Sequence, residues 1–144
     1  VAGVSKLDQI PVNVVQTSPT QVVAILNEID ELLTQLIEQG KSSAIDLRSL
    51  PLFPGDYENL KALLGEGEIS ISLDSLGPSE IIETNIPGVW WCTHYNEADE
   101  KIAEFIEVTR VPQLLLTDTD ELRQSRNKLD RLINQTLKGE HDAP

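Results

Sequence analysis

The sequence predicts an α+β fold, a two-layer sandwich in which a mainly antiparallel sheet of about five strands carries two long helices and one short helix. Apolar residues recur at helical spacing over 22–37 and again over 122–137. Between those runs, Ile69, Ile71 and Leu73 alternate with Glu68, Ser70 and Ser72, the period of a strand with one face buried. The strand-like runs beyond residue 67 are joined by short polar or Pro/Gly links, which favour an antiparallel meander.

Residues 1–17 show short apolar runs without a helical period and read as an extended lead-in, with a short strand over 10–15. Ser18, Pro19 and Gln21 then have the order of a capping box: serine at the N-cap, proline at the first helical position, glutamine three residues after the cap. The helix they open runs to about residue 39. Val22, Ile25, Leu26, Ile29, Leu32, Leu33, Leu36 and Ile37 form its apolar stripe, and Gly40 stands where a glycine C-cap belongs. Residues 43–48 read as a strand. Pro51, Pro54 and Gly55 break it, and a short helix follows over 56–64. A strand, helix and strand in that order make a crossover that sets the first strand parallel to a later one.

Four strands are expected next, near 68–74, 79–86, 89–95 and 101–109. Pro87 and Gly88 reverse the chain between the second and third, since proline presets one turn dihedral and glycine accepts a positive one. The last helix is expected to start at Thr117 or Asp118, where TDTDEL places acids at the positive end of the helix dipole. Leu122, Leu129, Leu132, Ile133, Thr136 and Leu137 give it an apolar side, expected to face inward. The chain therefore reads as a single domain over 18–138, between the lead-in at 1–17 and a disordered tail at 139–144 that contains His141.

The 144 residues suit one domain with a core. That core must rest on Leu, Ile and Val, because only 4% of residues are aromatic, and the adjacent Trp90 and Trp91 stand out accordingly. Formal net charge is −13, and its placement is uneven: residues 49–109 hold 12 acids against only Lys61 and Lys101, a local net of −10. Phosphate backbones and anionic membrane surfaces are repelled by such a segment, so neither nucleic acid nor membrane is an expected partner. A basic protein surface is compatible with it.

Cys92 is the sole cysteine and has no internal disulfide partner. Together with the lack of any apolar window of the ~18 residues a membrane span needs, and of a signal-peptide pattern at the N-terminus, this points to a cytoplasmic protein. The chain begins with Val1 and contains no methionine, so it reads as part of a longer translation product.

The run LGEGEISI, from Leu64 to Ile71, lacks the lysine and Ser/Thr of a phosphate loop. It resembles a core motif of the HupH/HyaF family of hydrogenase expression and formation proteins, as does IETNIPGVWW from Ile82 to Trp91. The likeness continues into FIEVTRVPQLL, from Phe105 to Leu115. This resemblance implies a non-enzymatic, chaperone-like accessory protein of [NiFe]-hydrogenase maturation. It further implies participation in cofactor or iron–sulfur cluster assembly and protection of an immature subunit, with a hydrogenase subunit precursor or another maturation protein as partner. No catalytic residue, metal ligand or cofactor of this chain's own is expected, and a homodimer is compatible with it.

The residues expected to meet a partner are Glu83, Thr84, Pro87, Gly88, Trp90 and Trp91. Glu83 and Thr84 directly precede the turn, where they either support its backbone or face a basic partner. Trp90 and Trp91 must point to opposite sides of a regular strand, so a two-layer fold buries one against its helices, and the other needs cover from the lead-in, a second subunit or a client. The alternative reading is a small metal-handling or redox protein. Cys92 and His94 stand two apart on one strand, point to the same face, and supply two of the four ligands that a closed metal site takes, with Glu97 and Asp99 nearby.

Overall fold

The first helix, α1, spans Pro19–Gln39 and starts at Ser18, but not through the expected box. The Ser18 side chain makes no capping bond. Its backbone N–H instead donates to the carboxylate of Asp56, which also accepts the Phe53 N–H at 2.9 Å. Asp56 is fully buried, so one carboxylate ties the start of α1 to the start of the next helix. The computed structural model that reveals this describes residues 18–74 and 76–142. The lead-in and the strand expected over 10–15 lie outside them.

Gly40 ends α1 as expected: its φ of 68° is left-handed, and its N–H closes on the Leu36 carbonyl at 3.0 Å. Strand β1 (Ser43–Asp46) and a short 3-10 turn (Leu47–Ser49) lead to α2, which spans Pro54–Leu64. The strands β2 (Ser70–Asp74), β3 (Pro78–Glu83), β4 (Val89–Tyr95) and β5 (Lys101–Val108) follow.

These five strands form one antiparallel sheet in the order β1-β5-β4-β3-β2. The fold class is therefore the α+β arrangement expected. Because β1 enters beside β5, it runs in the same sense as β2 and β4 while pairing with neither, and the α2 crossover carries the chain across the sheet.

The core lies on the sheet face that receives the helices. Val22, Ile25, Ile29 and Leu36 of α1 and Leu60 and Leu64 of α2 pack with Leu47 and with Ile45, Val89, Trp91, Ile106 and Val108 of β1, β4 and β5. Burial of each such side chain stabilises the fold by roughly 1.5–3 kcal/mol. A second, smaller cluster sits on the other face, where Ile81, Trp90 and Cys92 gather with Ile71, Leu73 and Phe105 around them.

The chain divides into two compact units, 1–110 and 111–144. The second contains a 3-10 turn (Gln113–Leu115) and the helix α3 (Thr119–Asp142). Asp118 caps α3 in a reciprocal box: its carboxylate accepts the Glu121 N–H at 2.8 Å, and its own N–H donates to the Glu121 carboxylate at 3.1 Å. The helix passes Lys138 and continues through Asp142, so residues 139–142 are helical, not a disordered tail. Along its apolar side, Leu122, Leu129, Leu132, Ile133 and Leu137 are each about half exposed.

Candidate partner-binding site

The motifs at 64–71 and 82–91 meet in space. Downstream of α2, Gly67 N–H donates to the Glu83 carbonyl at 2.6 Å, Glu83 N–H donates to Ile69 at 2.9 Å, and Asn85 N–H donates to Leu64 at 2.9 Å. Gly67 is required by this closeness, because a Cβ there would stand 2.6 Å from both the Glu83 carboxylate and the Thr84 carbonyl. Gly65 has a left-handed φ of 67°, and a side chain on it would run into Asn85. The glycines of LGEGE thus let the exit of α2 lie against the end of β3.

From that junction the chain enters the reversal. Val89 N–H closes on the Ile86 carbonyl at 3.0 Å around Pro87 and Gly88, with Gly88 at φ 91°, the positive value a type II turn demands at that position. Thr84 is buried. Its hydroxyl donates to the Val89 carbonyl at 2.8 Å and accepts the Ile86 N–H at 3.2 Å, so its role is support of the turn. Among the expected partner-contact residues, Pro87 is exposed, Glu83 and Gly88 are half-buried, and Thr84, Trp90 and Trp91 are buried.

Both tryptophans are only 5% exposed, on opposite faces as strand alternation requires. Trp91 joins the helix-covered core, and Trp90 joins the smaller cluster, where its indole N–H donates to the Thr109 carbonyl at 3.1 Å. Neither ring is a surface anchor in this fold: both are buried, including the one that the helix-covered core does not hold.

Around Trp91 lies a cluster that sequence reasoning missed. Glu104 of β5 is 2% exposed, and its carboxylate accepts the Trp91 indole N–H at 2.8 Å. Lys61 stands 3.6 Å and Lys101 3.2 Å from the same carboxylate, and the Lys61 ammonium also lies 5.0 Å from the Trp91 ring centroid. The two lysines that alone offset the central acids thus converge on one buried glutamate. A signal was available: Glu104 holds the inward phase of a strand whose next inward residues are Ile106 and Val108. Nearby, burial first and the Glu104 carboxylate second push the Tyr57 phenol above its ordinary pKa of 10, while its hydroxyl donates to the Leu47 carbonyl at 3.0 Å.

This cluster lines two openings. One is a cavity of about 100 Å³ bordered by Lys61, Glu66, Glu80, Ile82, Trp91 and Tyr95. The other, about 450 Å³ and more open, is bordered by Arg48, Tyr57, Glu58, Lys61, Lys101 and Glu104. The first borders β3, whose helix-side residues, like β2, lie outside the main core; the second lies between the 3-10 turn, α2 and the start of β5.

Cys92 and His94 do share a face. Cys92 is buried, and desolvation, with a smaller contribution from Glu107, pushes its thiol up to about 12, so it is protonated at neutral pH. His94 Nδ1 is 2.6 Å from the Ser79 hydroxyl, and the ring packs against Phe105 at 5.4 Å. No group of three or more His, Cys, Asp or Glu side chains among the described residues is arranged to hold a metal ion. No helix among them is long and apolar enough to cross a membrane.

Comparison with known proteins matches residues 20–136 to the C-terminal conserved region of the HupH hydrogenase expression protein. The chain is 32% identical over 94 residues to the hydrogenase expression/formation protein HoxQ of Azotobacter vinelandii, covering 65% of this chain and 33% of that protein. Its identity to HupH of Rhodobacter capsulatus is also 32% over 94 residues, covering 65% of this chain and 34% of that protein. The chain thus spans about a third of the length of these relatives. A solved structure of the hydrogenase expression protein HupH from Thiobacillus denitrificans superposes with a TM-score of 0.77 at 41% identity, covering 80% of this chain and 96% of that one. The matched span runs from the start of α1 through most of α3 and includes the glycine junction, the Pro87–Gly88 turn and Glu104, so the chain belongs to the HupH family of hydrogenase expression proteins, through its C-terminal conserved region.

Proposed function

We propose that this chain serves [NiFe]-hydrogenase maturation as a non-enzymatic accessory protein that binds a hydrogenase subunit precursor or another assembly factor. The observation that carries this reading is the family match over 20–136, together with similarity to proteins known as hydrogenase expression/formation proteins. The chemistry of the fold agrees with it. The thiol is buried and held protonated, and the His94 ring is engaged by Ser79 and Phe105, so the usual nucleophile and base are both committed to structure. What the first unit offers instead is surface: an acidic, partly uncovered sheet edged by open cavities.

The test is genetic and biochemical together. In a hydrogenase-producing host, removing the protein that contains this chain should lower hydrogenase activity and leave subunit precursor unprocessed, and re-expression should restore both. Immunodetection of a hydrogenase subunit or a named assembly factor with the tagged protein supplies the binding arm. Unchanged activity and processing in its absence would overturn the reading.

A further inference from the structure

We infer that β2 is a strand-addition edge, and that its occupant is an extended lysine- or arginine-bearing segment of a partner protein. This inference rests on the partner-binding reading above and gives that partner a chemistry.

Strand β2 closes one end of the sheet, with β3 on one side and no strand on the other among the described residues. The Glu83 N–H bonds to the Ile69 carbonyl, which turns Ile69 toward β3. In an antiparallel pair the direction of backbone groups alternates. Ile71 and Leu73 therefore also face β3, while the N–H and C=O groups of Ser70, Ser72 and Asp74 point out of the sheet. Those three residues are exposed. Natural edges are blunted by proline, lysine or a bulge, yet β2 reads SISLD and pairs with β3 in unbroken register from Ser70↔Ile82 to Asp74↔Pro78.

Charge selects the occupant. Exposed Glu66, Glu68, Asp74 and Glu80 lie along or beside this edge, and the nearest strands carry no lysine or arginine until Lys101. A second copy would bring an equally acidic edge, with no lysine or arginine to offset it. Antiparallel pairing of two β2 edges with Ser70 opposite Ser72 sets Glu68 opposite Asp74 twice, and like charges directly opposite destabilise a sheet. A basic strand turns both oppositions into attraction. Beside the strand lies a cavity of about 330 Å³ whose border includes Ser72, Asp74, Glu80 and Tyr95, two carboxylates and an aromatic ring that suit the head of a long cationic side chain. Backbone bonds to β2 would hold such a segment, and the cavity would select its side chain.

The experiment uses the full chain, isotopically labelled, and two capped peptides of equal length, one alternating lysine with valine and one alternating glutamate with valine. The lysine peptide should move the amide resonances of Ser70, Ser72 and Asp74, and its affinity should fall about tenfold or more as added salt shortens the Debye length from about 10 Å to about 3 Å. Ser72→Pro removes an outward donor and no bond to β3, so it should retain the wild-type melt and lose the peptide. Asp74→Lys combined with Glu80→Lys should reverse the preference toward the glutamate peptide. The inference is overturned if the lysine peptide moves no β2 amide at millimolar concentration, if Ser72→Pro folds and binds it as wild type does, or if the charge reversal leaves the preference unchanged. In the host assay, full maturation by Ser72→Pro would remove this edge while leaving the accessory role intact, whereas full maturation without the protein would remove the role itself.

Discussion

Glu104 is where a single residue decides most locally. A buried carboxylate needs partners to be tolerated, and this one has the Trp91 indole N–H at 2.8 Å and two lysines within 4 Å. The lysines are about half exposed, so their attraction is screened and each is worth well under ~1 kcal/mol; the enclosed indole bond matters more. Glu104→Gln keeps an acceptor for Trp91 and should cost under about 1 kcal/mol in denaturant unfolding, whereas Glu104→Ala strands the indole donor and should cost roughly 1–3 kcal/mol. Equal losses in the two variants would mean that charge, not the indole bond, holds the site. Cys92 yields a pH test. Its folded pKa of about 12 lies above that of an unfolded thiol near 9, so the folded state retains the proton longer. That contribution is complete below pH ~9 and is lost as pH rises toward 12. Wild type should therefore lose stability more steeply across that window than Cys92→Val, as read from unfolding free energies at fixed salt. The shared face of Cys92 and His94 was legible from strand alternation; what packs over that face was not, because it is set by residues distant in sequence. The same limit hid the fate of the tryptophans, since alternation shows that two rings face apart and says nothing of how each side is covered.

At the scale of elements, local signals were most reliable where backbone geometry forces a residue. The Pro87–Gly88 reversal and the Gly40 cap depend on near neighbours and appear as expected; the alternation holds for half-buried Ile71 and Leu73 of β2 but not for Ile69, which precedes the strand and is exposed. The Ser18 box failed for a tertiary reason: the backbone of Ser18 is claimed by Asp56, a residue 38 positions away. Contact between the two glycine-bearing motifs follows from the antiparallel pairing of β2 with β3, whereas the close approach of backbones at Gly67 was not legible in sequence. That junction predicts a sharp substitution effect. Gly67→Ala places a Cβ against the Thr84 carbonyl, a backbone atom that cannot swing aside, so the end of β3 or the α2 exit must move. A loss of about 1–3 kcal/mol is expected, as for other overpacked sites. Gly139→Ala, in α3 with open space around the glycine, should instead stabilise by up to about 1 kcal/mol through helix propensity. Thermal melts of the two variants that move in the same direction would show that the close approach at Gly67 is relieved at no cost.

At the scale of the whole molecule, the two units differ in what their apolar residues do. Residues 1–110 carry a net charge of −12, from 18 acids and 6 bases, and enclose a core fed by both helices and the sheet. Residues 111–144 are nearly neutral, at −1 from 6 acids and 5 bases, and present a long amphipathic helix whose leucines stay about half exposed. Periodicity revealed the α3 stripe correctly but cannot distinguish a stripe that packs from one that does not, because the pattern is the same in both. Energetics can. Ile106 is fully buried beneath the helices, so Ile106→Ala should cost roughly 2–5 kcal/mol through lost transfer energy and a residual cavity. Leu129 is 58% exposed, so Leu129→Ala removes little buried area and also gains slightly in helix propensity; its effect on unfolding should stay within about 0.5 kcal/mol. Denaturant unfolding of both variants, at several protein concentrations, decides the matter. Should Leu129→Ala fall as far as Ile106→Ala, the α3 stripe is buried in solution, and a concentration dependence of that fall would identify another protein chain as what buries it.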